Sequence, residues 1–213
     1  MFIVNPSRFI TAGGGGGGSD AATVSYVGRY RSTTAGTTHT ITADNIGSAE
    51  HVLVVFYRQA DPAITSTMTV GGDSATNLFP SRLAYSSWYI VAAPVDTTPN
   101  IVVTFSSSVN AVGMAVYGLT NLESTTPTDS DSSTAVNNTL TVDTDAEGVV
   151  VYSSFGNDGP VFTTGSKHFE HEWYPDDGAE HIGWSQVATG ASYSRATNIG
   201  GAPIVGTSLV SFR

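Results

Sequence analysis

The densest run of groups able to do chemistry is Lys167-His168-Phe169-Glu170-His171-Glu172-Trp173-Tyr174-Pro175-Asp176-Asp177, with His181 close behind. Imidazoles and carboxylates at this spacing could ligate a divalent cation, because an extended strand sets His168, Glu170 and Glu172 on one face. The helical metalloprotease arrangement fails: His171-Glu172 has no second histidine three residues on, and Pro175 ends any helix. A solvated strand and loop at the rim of a sheet is the plainer reading. Calcium would need several oxygen donors in one loop, and Asp129-Ser130-Asp131, Asp143-Thr144-Asp145 and Asp176-Asp177 are the acidic candidates. None has the glycine and distal glutamate of a helix-loop-helix calcium site, and aspartates in turns bond their own backbone. No metal or other cofactor is expected.

Glu170 with Glu172 or Asp176 could form a glycosidase pair, but that chemistry depends on a separation in space that adjacency in sequence does not supply. There is no Gly-x-Ser-x-Gly elbow, phosphate loop or dinucleotide motif. Six consecutive glycines, Gly13, Gly14, Gly15, Gly16, Gly17 and Gly18, precede β-type sequence and lack a following Lys-Ser/Thr pair, so they are no phosphate cradle. Trp88, Tyr89, Trp173, Tyr174, Trp184 and Tyr193 are the candidates for a sugar-stacking platform, since aromatic faces beside hydroxyls and carboxylates suit carbohydrate. Alternation favours a core position for Trp88. Trp173 and Tyr174, beside Pro175, Asp176 and Asp177, are the pair to expect on a glycan. The chain is expected not to be an enzyme.

These groups sit in a chain of 213 residues, 40% hydrophobic, which is enough to fill a core. Only 12% of residues are charged, well below the roughly 25% of ordinary domains, and glycine, serine and threonine are abundant. Eight basic residues face eighteen acidic ones, for a net charge of −10. Phosphate neutralisation needs clustered Lys and Arg, so neither nucleic acid nor an anionic membrane is an expected partner. The absence of cysteine excludes disulfides, thiolate catalysis and cysteine-ligated zinc. No apolar run has the length of a membrane span, and the first ten residues lack the basic and apolar regions of a signal peptide.

Apolar and β-branched runs of five to ten residues recur, each closed by Gly, Pro, Asn, Asp or Ser. Strands are expected over 22–30, 37–43, 51–59, 64–70, 83–93, 100–105, 111–119, 135–142, 148–155, 168–173, 182–187 and 203–212. No window carries a helical period, so the expected fold is all-β: an antiparallel β-sandwich, jelly-roll-like, with an extended N-terminal arm. Continuous apolar runs at 52–57 and 148–152 mark strands covered on both faces. Thr38-His39-Thr40-Ile41-Thr42 and Thr139-Leu140-Thr141-Val142-Asp143 alternate, as outer strands do. The stretch 143–148 reads as a hairpin loop ending in a glycine at positive φ, and Val70-Gly71-Gly72-Asp73 as a similar turn. The polar stretch 124–138 reads as a long surface loop, leaving an arm over 1–21 and one sandwich domain over 22–213. No repeat of fixed period is evident.

The order of motifs resembles β-sandwich structural proteins of tailed bacteriophages and prophages. The resemblance runs over 69–213: the Thr69-Val70-Gly71-Gly72 turn, the aromatic strand Ser87-Trp88-Tyr89-Ile90-Val91-Ala92-Ala93-Pro94-Val95, then Asn100-Ile101-Val102-Val103-Thr104-Phe105-Ser106. Val112-Gly113-Met114-Ala115-Val116-Tyr117-Gly118-Leu119 and a closing Ser208-Leu209-Val210-Ser211-Phe212-Arg213 complete it. It implies a non-catalytic virion component, such as a head decoration, a fibre or a baseplate attachment, assembled in the host cytoplasm. It carries no catalytic residues. The arm, which lies outside the resemblance, is expected to be the anchor. Immobilising its glycines is entropically expensive, so it needs neighbouring copies or other virion proteins to hold it. Phe2, Ile3, Val4, Phe9 and Ile10 would bury in a partner groove or add a strand to a partner's edge, with the glycines allowing close backbone approach. A homo-oligomer follows, a trimer being one option. A carbohydrate-binding host-recognition module is the alternative, and a polysaccharide-degrading enzyme the third.

Overall fold

The computed structural model describes residues 20–58, 64–79, 86–135, 137–156, 161–163, 169–172, 180–188, 190–200 and 205–213. Among them there is no helix, and every strand pairing is antiparallel. The chain up to residue 120 supplies β1 (Thr23–Ser32), β2 (Gly36–Thr42), β3 (His51–Arg58), β4 (Ser66–Val70) and β5 (Asp73–Ser74). It continues with β6 (Thr76–Asn77), β7 (Ser86–Ala92), β8 (Asn100–Val109) and β9 (Val112–Thr120). We call this lobe N. Lobe C holds β10 (Asp129–Ser133), β11 (Asn137–Asp143), β12 (Val149–Gly156), β13 (Val161–Thr163), β14 (Phe169–Glu172), β15 (Glu180–Val187), β16 (Ser192–Gly200) and β17 (Val205–Phe212).

Each lobe is a sandwich of two sheets. Lobe N has an inner sheet of order β1-β9-β3-β7-β6 and an outer sheet β2-β8-β4-β5; lobe C has an inner sheet β10-β17-β12-β15-β14 and an outer sheet β11-β16-β13. The two inner sheets also pack on one another, giving four layers. Alternation along a strand explains how one sheet serves two interfaces. On β3, Val52, Val54 and Phe56 point into lobe N's own core with Ile41, Met68, Ile101 and Phe105. Leu53, Val55 and Tyr57 point the other way, against Val149, Val151, Val210 and Phe212 of lobe C. This double burial is why 52–57 and 148–152 read as unbroken apolar runs. The alternating outer strands also stand as expected: His39 and Ile41 of β2, and Leu140 and Val142 of β11, are buried while their threonine neighbours face outward.

The strand orders of the two lobes correspond one to one. β1, β2, β3, β4, β6, β7, β8 and β9 match β10 to β17 in turn, and among the described residues only the two-residue β5 has no counterpart. The registers agree as well: His51 opposes both Leu119 and Ala92, and Val149 opposes both Phe212 and Val187. The chain is a structural duplication. No fixed period betrays it because the offset shrinks along the chain, from Ser25 against Asp129 to Val112 against Val205.

Two local expectations need correcting. The 143–148 segment is no hairpin: it carries the chain from β11 in the outer sheet to β12 in the inner one. Its positive φ falls on Glu147, at 71°, and Gly148 serves a different purpose, since a Cβ there would lie 2.5 Å from the Phe212 carbonyl oxygen. The 124–138 stretch is only partly a loop, because Asp129–Ser133 pairs with β17. The turn at Gly71 and Gly72 forms as expected, with φ of 61° and 96°.

Candidate functional site

The face between the lobes is one of the molecule's main buried clusters. Trp88 is fully buried there, as expected for a core aromatic, with Leu53, Val55, Ile90, Tyr117 and Leu119 around it. Burial of each such side chain is worth about 1.5–3 kcal/mol. Tyr89, one residue on, turns to the opposite face and stacks on Phe56 at 5.7 Å in lobe N's own core. Tyr193 packs partly against lobe C's outer core, and Trp184 lies on β15 opposite Tyr152.

Hydroxyls cross this apolar face at one point. The Tyr57 phenol donates to Ser153 Oγ from the opposite lobe, Ser86 Oγ and Ser208 Oγ share a hydrogen bond at 3.2 Å across the same boundary, and Trp88 Nε1 donates to Ser86 Oγ at 3.0 Å. Burial holds the Tyr57 phenol far above its ordinary pKa, so it stays a protonated donor. Burial raises Tyr117 likewise, and its hydroxyl has no hydrogen-bond partner among the described residues. A satisfied polar cluster inside an apolar face fixes how two layers align, because any slip leaves several buried groups unpaired.

One end of the stack gathers the first described residues, the lobe connection and the C-terminal residue. Ala22 N donates to Glu147 O at 2.9 Å, and Asn121 Nδ2 donates to Ala21 O at 3.3 Å. Glu123 N and Ser124 N both donate to Arg213 O, at 2.7 and 3.1 Å. The Arg213 guanidinium lies 3.4 Å from Glu123 and 3.7 Å from Glu147, and also donates to Ala146 O. Ala22 itself is 2% exposed and belongs to the interlobe core. The segment before residue 20 therefore joins the body at a pinned point.

The sequence-derived site residues divide by location. Phe2, Ile3, Val4, Phe9, Ile10 and Gly13 to Gly18 lie outside the described residues, as do His168, Trp173, Tyr174, Asp176 and Asp177. Glu170, His171 and Glu172 fall on β14, where the register sets His171 opposite His181 and Glu172 opposite Glu180. No group of three or more potential metal ligands occurs among the described residues. Asp129 and Asp131 have another use: their carboxylates accept the backbone amides of Asp143 and Thr141, each at 2.9 Å, across the free edge of β11. They also accept the amides of Ser130 and Ser132 in their own turn of chain. Composition hides this edge latch, because Asp129–Ser133 has the residues of a loop.

Two open clefts mark the surface. One, of about 340 Å³, runs from Thr23 and Ser25 to Asn45, Gly47 and Ser48; the other, of about 490 Å³, lies among His51, Asp73, Thr76 and Thr125. Both mix hydroxyl and apolar residues: Ser25, Ser48 and Thr120 with Val27 and Ile46 in the first, Ser74 and Thr76 with Ile90 and Val91 in the second. No protein-family model matches the chain, and no curated protein matches it.

Proposed function

We propose that the chain is a non-catalytic structural component of a bacteriophage virion, held in the particle by residues 1–21. The observation that carries this is the pinned exit: the apolar, glycine-rich leader meets the body at Ala21 and Ala22, which Glu147, Asn121 and the interlobe core fix in place. A tether transmits position only if its root is rigid, and this root is. The body supports the reading in a second way, because its inner sheets bury one another and most of its titratable groups lie in turns and edges. A surface with few charged side chains, 12% of the chain, and many hydroxyls leaves uncharged area for contact between neighbouring subunits. Shotgun mass spectrometry of density-purified phage particles, induced from a host that encodes the chain, tests the proposal. The chain is expected at a copy number that is a multiple of the particle's symmetry. Its absence from intact particles, with abundant chain left in the lysate, overturns the proposal.

A further inference from the structure

Outer strands β2 and β11 are counterparts, yet their free edges are treated differently. In β2 the Ala43 amide bonds to Pro99 O, continuing the ladder with β8, so residues 39, 41 and 43 direct their backbone groups inward. Thr38, Thr40 and Thr42 direct theirs out of the sheet, where they have no partner among the described residues. The matching amides on β11 are the ones that Asp131 and Asp129 close. In register, Asp129 corresponds to Ser25 and Asp131 to Gly28 of lobe N, and neither has a carboxylate to offer. Duplication has left one edge latched and one open. An uncharged, threonine-rich open edge is a template for another strand, and natural proteins normally blunt such edges.

We propose that the edge of β2 is the docking site for the N-terminal segment of a second copy of this chain. The inference rests on the anchoring role proposed above and names its acceptor. The occupant is argued from the chain itself. The segment before residue 20 holds two short β-type runs, Phe2-Ile3-Val4 and Phe9-Ile10, and then a glycine spacer long enough to reach a neighbour. Its root at Thr23 borders the same cleft as Asn45 and Gly47, just beyond the end of β2. Root and free edge thus lie at one end of the body, the arrangement from which identical leaders can be exchanged between two copies. Backbone ladder bonds would supply affinity, and alternate apolar residues would fall on the side of β2 where His39 and Ile41 are buried.

Amide exchange in mixed samples tests this. The probe is an isotope-labelled full-length chain carrying Ile3→Asp and Phe9→Asp, whose own leader cannot form an apolar strand. Alone, it is expected to exchange Thr38, Thr40 and Thr42 amides fast and Thr141 and Asp143 amides slowly. Adding unlabelled wild-type chain should slow the three threonine amides by at least about tenfold, and adding unlabelled Ile3→Asp/Phe9→Asp chain should not. Thr40→Pro in the labelled chain, which removes an outward amide while sparing the β8 ladder, should abolish the effect. Unchanged amides with wild-type chain overturn the proposal, as does slowing in wild-type chain alone that is independent of concentration, which would place the leader on its own edge. If those amides do not respond but removing the leader still blocks particle incorporation, the anchoring role stands and this acceptor is wrong.

Discussion

Lobe N and lobe C repeat one strand order and fill it differently. Around β3, lobe N packs hydrocarbon: Phe56 stacks on Tyr89 and meets Phe105 edge-on at 5.7 Å. At matching register lobe C has Ser153 for Val55, Ser154 for Phe56, Thr207 for Met114 and Ser208 for Ala115. Among the described residues its outer core holds Leu140, Val142, Val150, Tyr152, Ala188 and Leu209. The buried nitrogen-bearing side chain also changes strand. His39 on β2 opposes Val103, whereas Leu140 on β11 opposes Arg195, which lies over the Tyr152 ring at 4.8 Å. Val149, Val151, Val210 and Phe212 reach an apolar environment by leaning on lobe N, so lobe C draws much of its burial from its sister. A duplicated fold thus lets one copy keep the hydrophobic core while the other exchanges some of it for hydroxyls.

The sharpest way to break this comparison is to hollow the shared face. Trp88→Ala should cost about 3–5 kcal/mol and lower both lobes in one calorimetric transition; two separated transitions would show that the lobes do not depend on each other. The next effect distinguishes two tyrosines on the same face. Tyr57→Phe removes the buried hydrogen bond to Ser153 and should destabilise by about 1–3 kcal/mol, while Tyr117→Phe removes a buried hydroxyl without a partner among the described residues and should be neutral or stabilising by about 1 kcal/mol, both read by denaturant titration. The latched edge comes next. Asp131→Ala should cost roughly 0.5–1.5 kcal/mol and give lobe C an open strand, seen as concentration-dependent association by sedimentation.

Alkaline titration reads the same burial through pH. Burial raises Tyr30 to about 12, and raises Tyr57 and Tyr117 further, so the folded state retains phenolic protons that the unfolded chain releases near pH 10. Stability from these groups is full below pH 10 and falls as the pH rises towards 12, because the unfolded chain then binds fewer protons than the native one. Tyr30→Phe should shallow that fall in a pH series of melting curves.

Much of the layering was legible in the residues. The unbroken Val52 to Tyr57 run could only be a strand covered twice, and the Thr-x-Thr alternation of β2 and β11 only an outer strand, because side-chain period fixes which face is wet. The duplication was not legible, because hydroxyls stand in lobe C where lobe N has hydrocarbon, and its strongest echo misleads. Gly183-Trp184-Ser185-Gln186-Val187-Ala188 repeats the Trp-x-x-Val-Ala spacing of Ser87-Trp88-Tyr89-Ile90-Val91-Ala92, yet Val187 rather than Ala188 takes the place of Ala92 in the ladder. β16 was missed for a similar reason: Ser192-Tyr193-Ser194-Arg195-Ala196 has the composition of a loop and becomes a central strand through its neighbours β11 and β13. Of the candidate site, Trp88 was placed by its alternation, while Asp129 and Asp131 were taken for ion ligands or turn residues because the edge they close belongs to another strand.

The central claim is that a rigid double sandwich is attached through its leader. Phage particles assembled with the chain lacking residues 2–18 test it most directly, by counting copies per purified particle beside circular dichroism of the same variant. The account predicts an intact β spectrum and near-zero incorporation. Incorporation at the level of the full-length chain would contradict it.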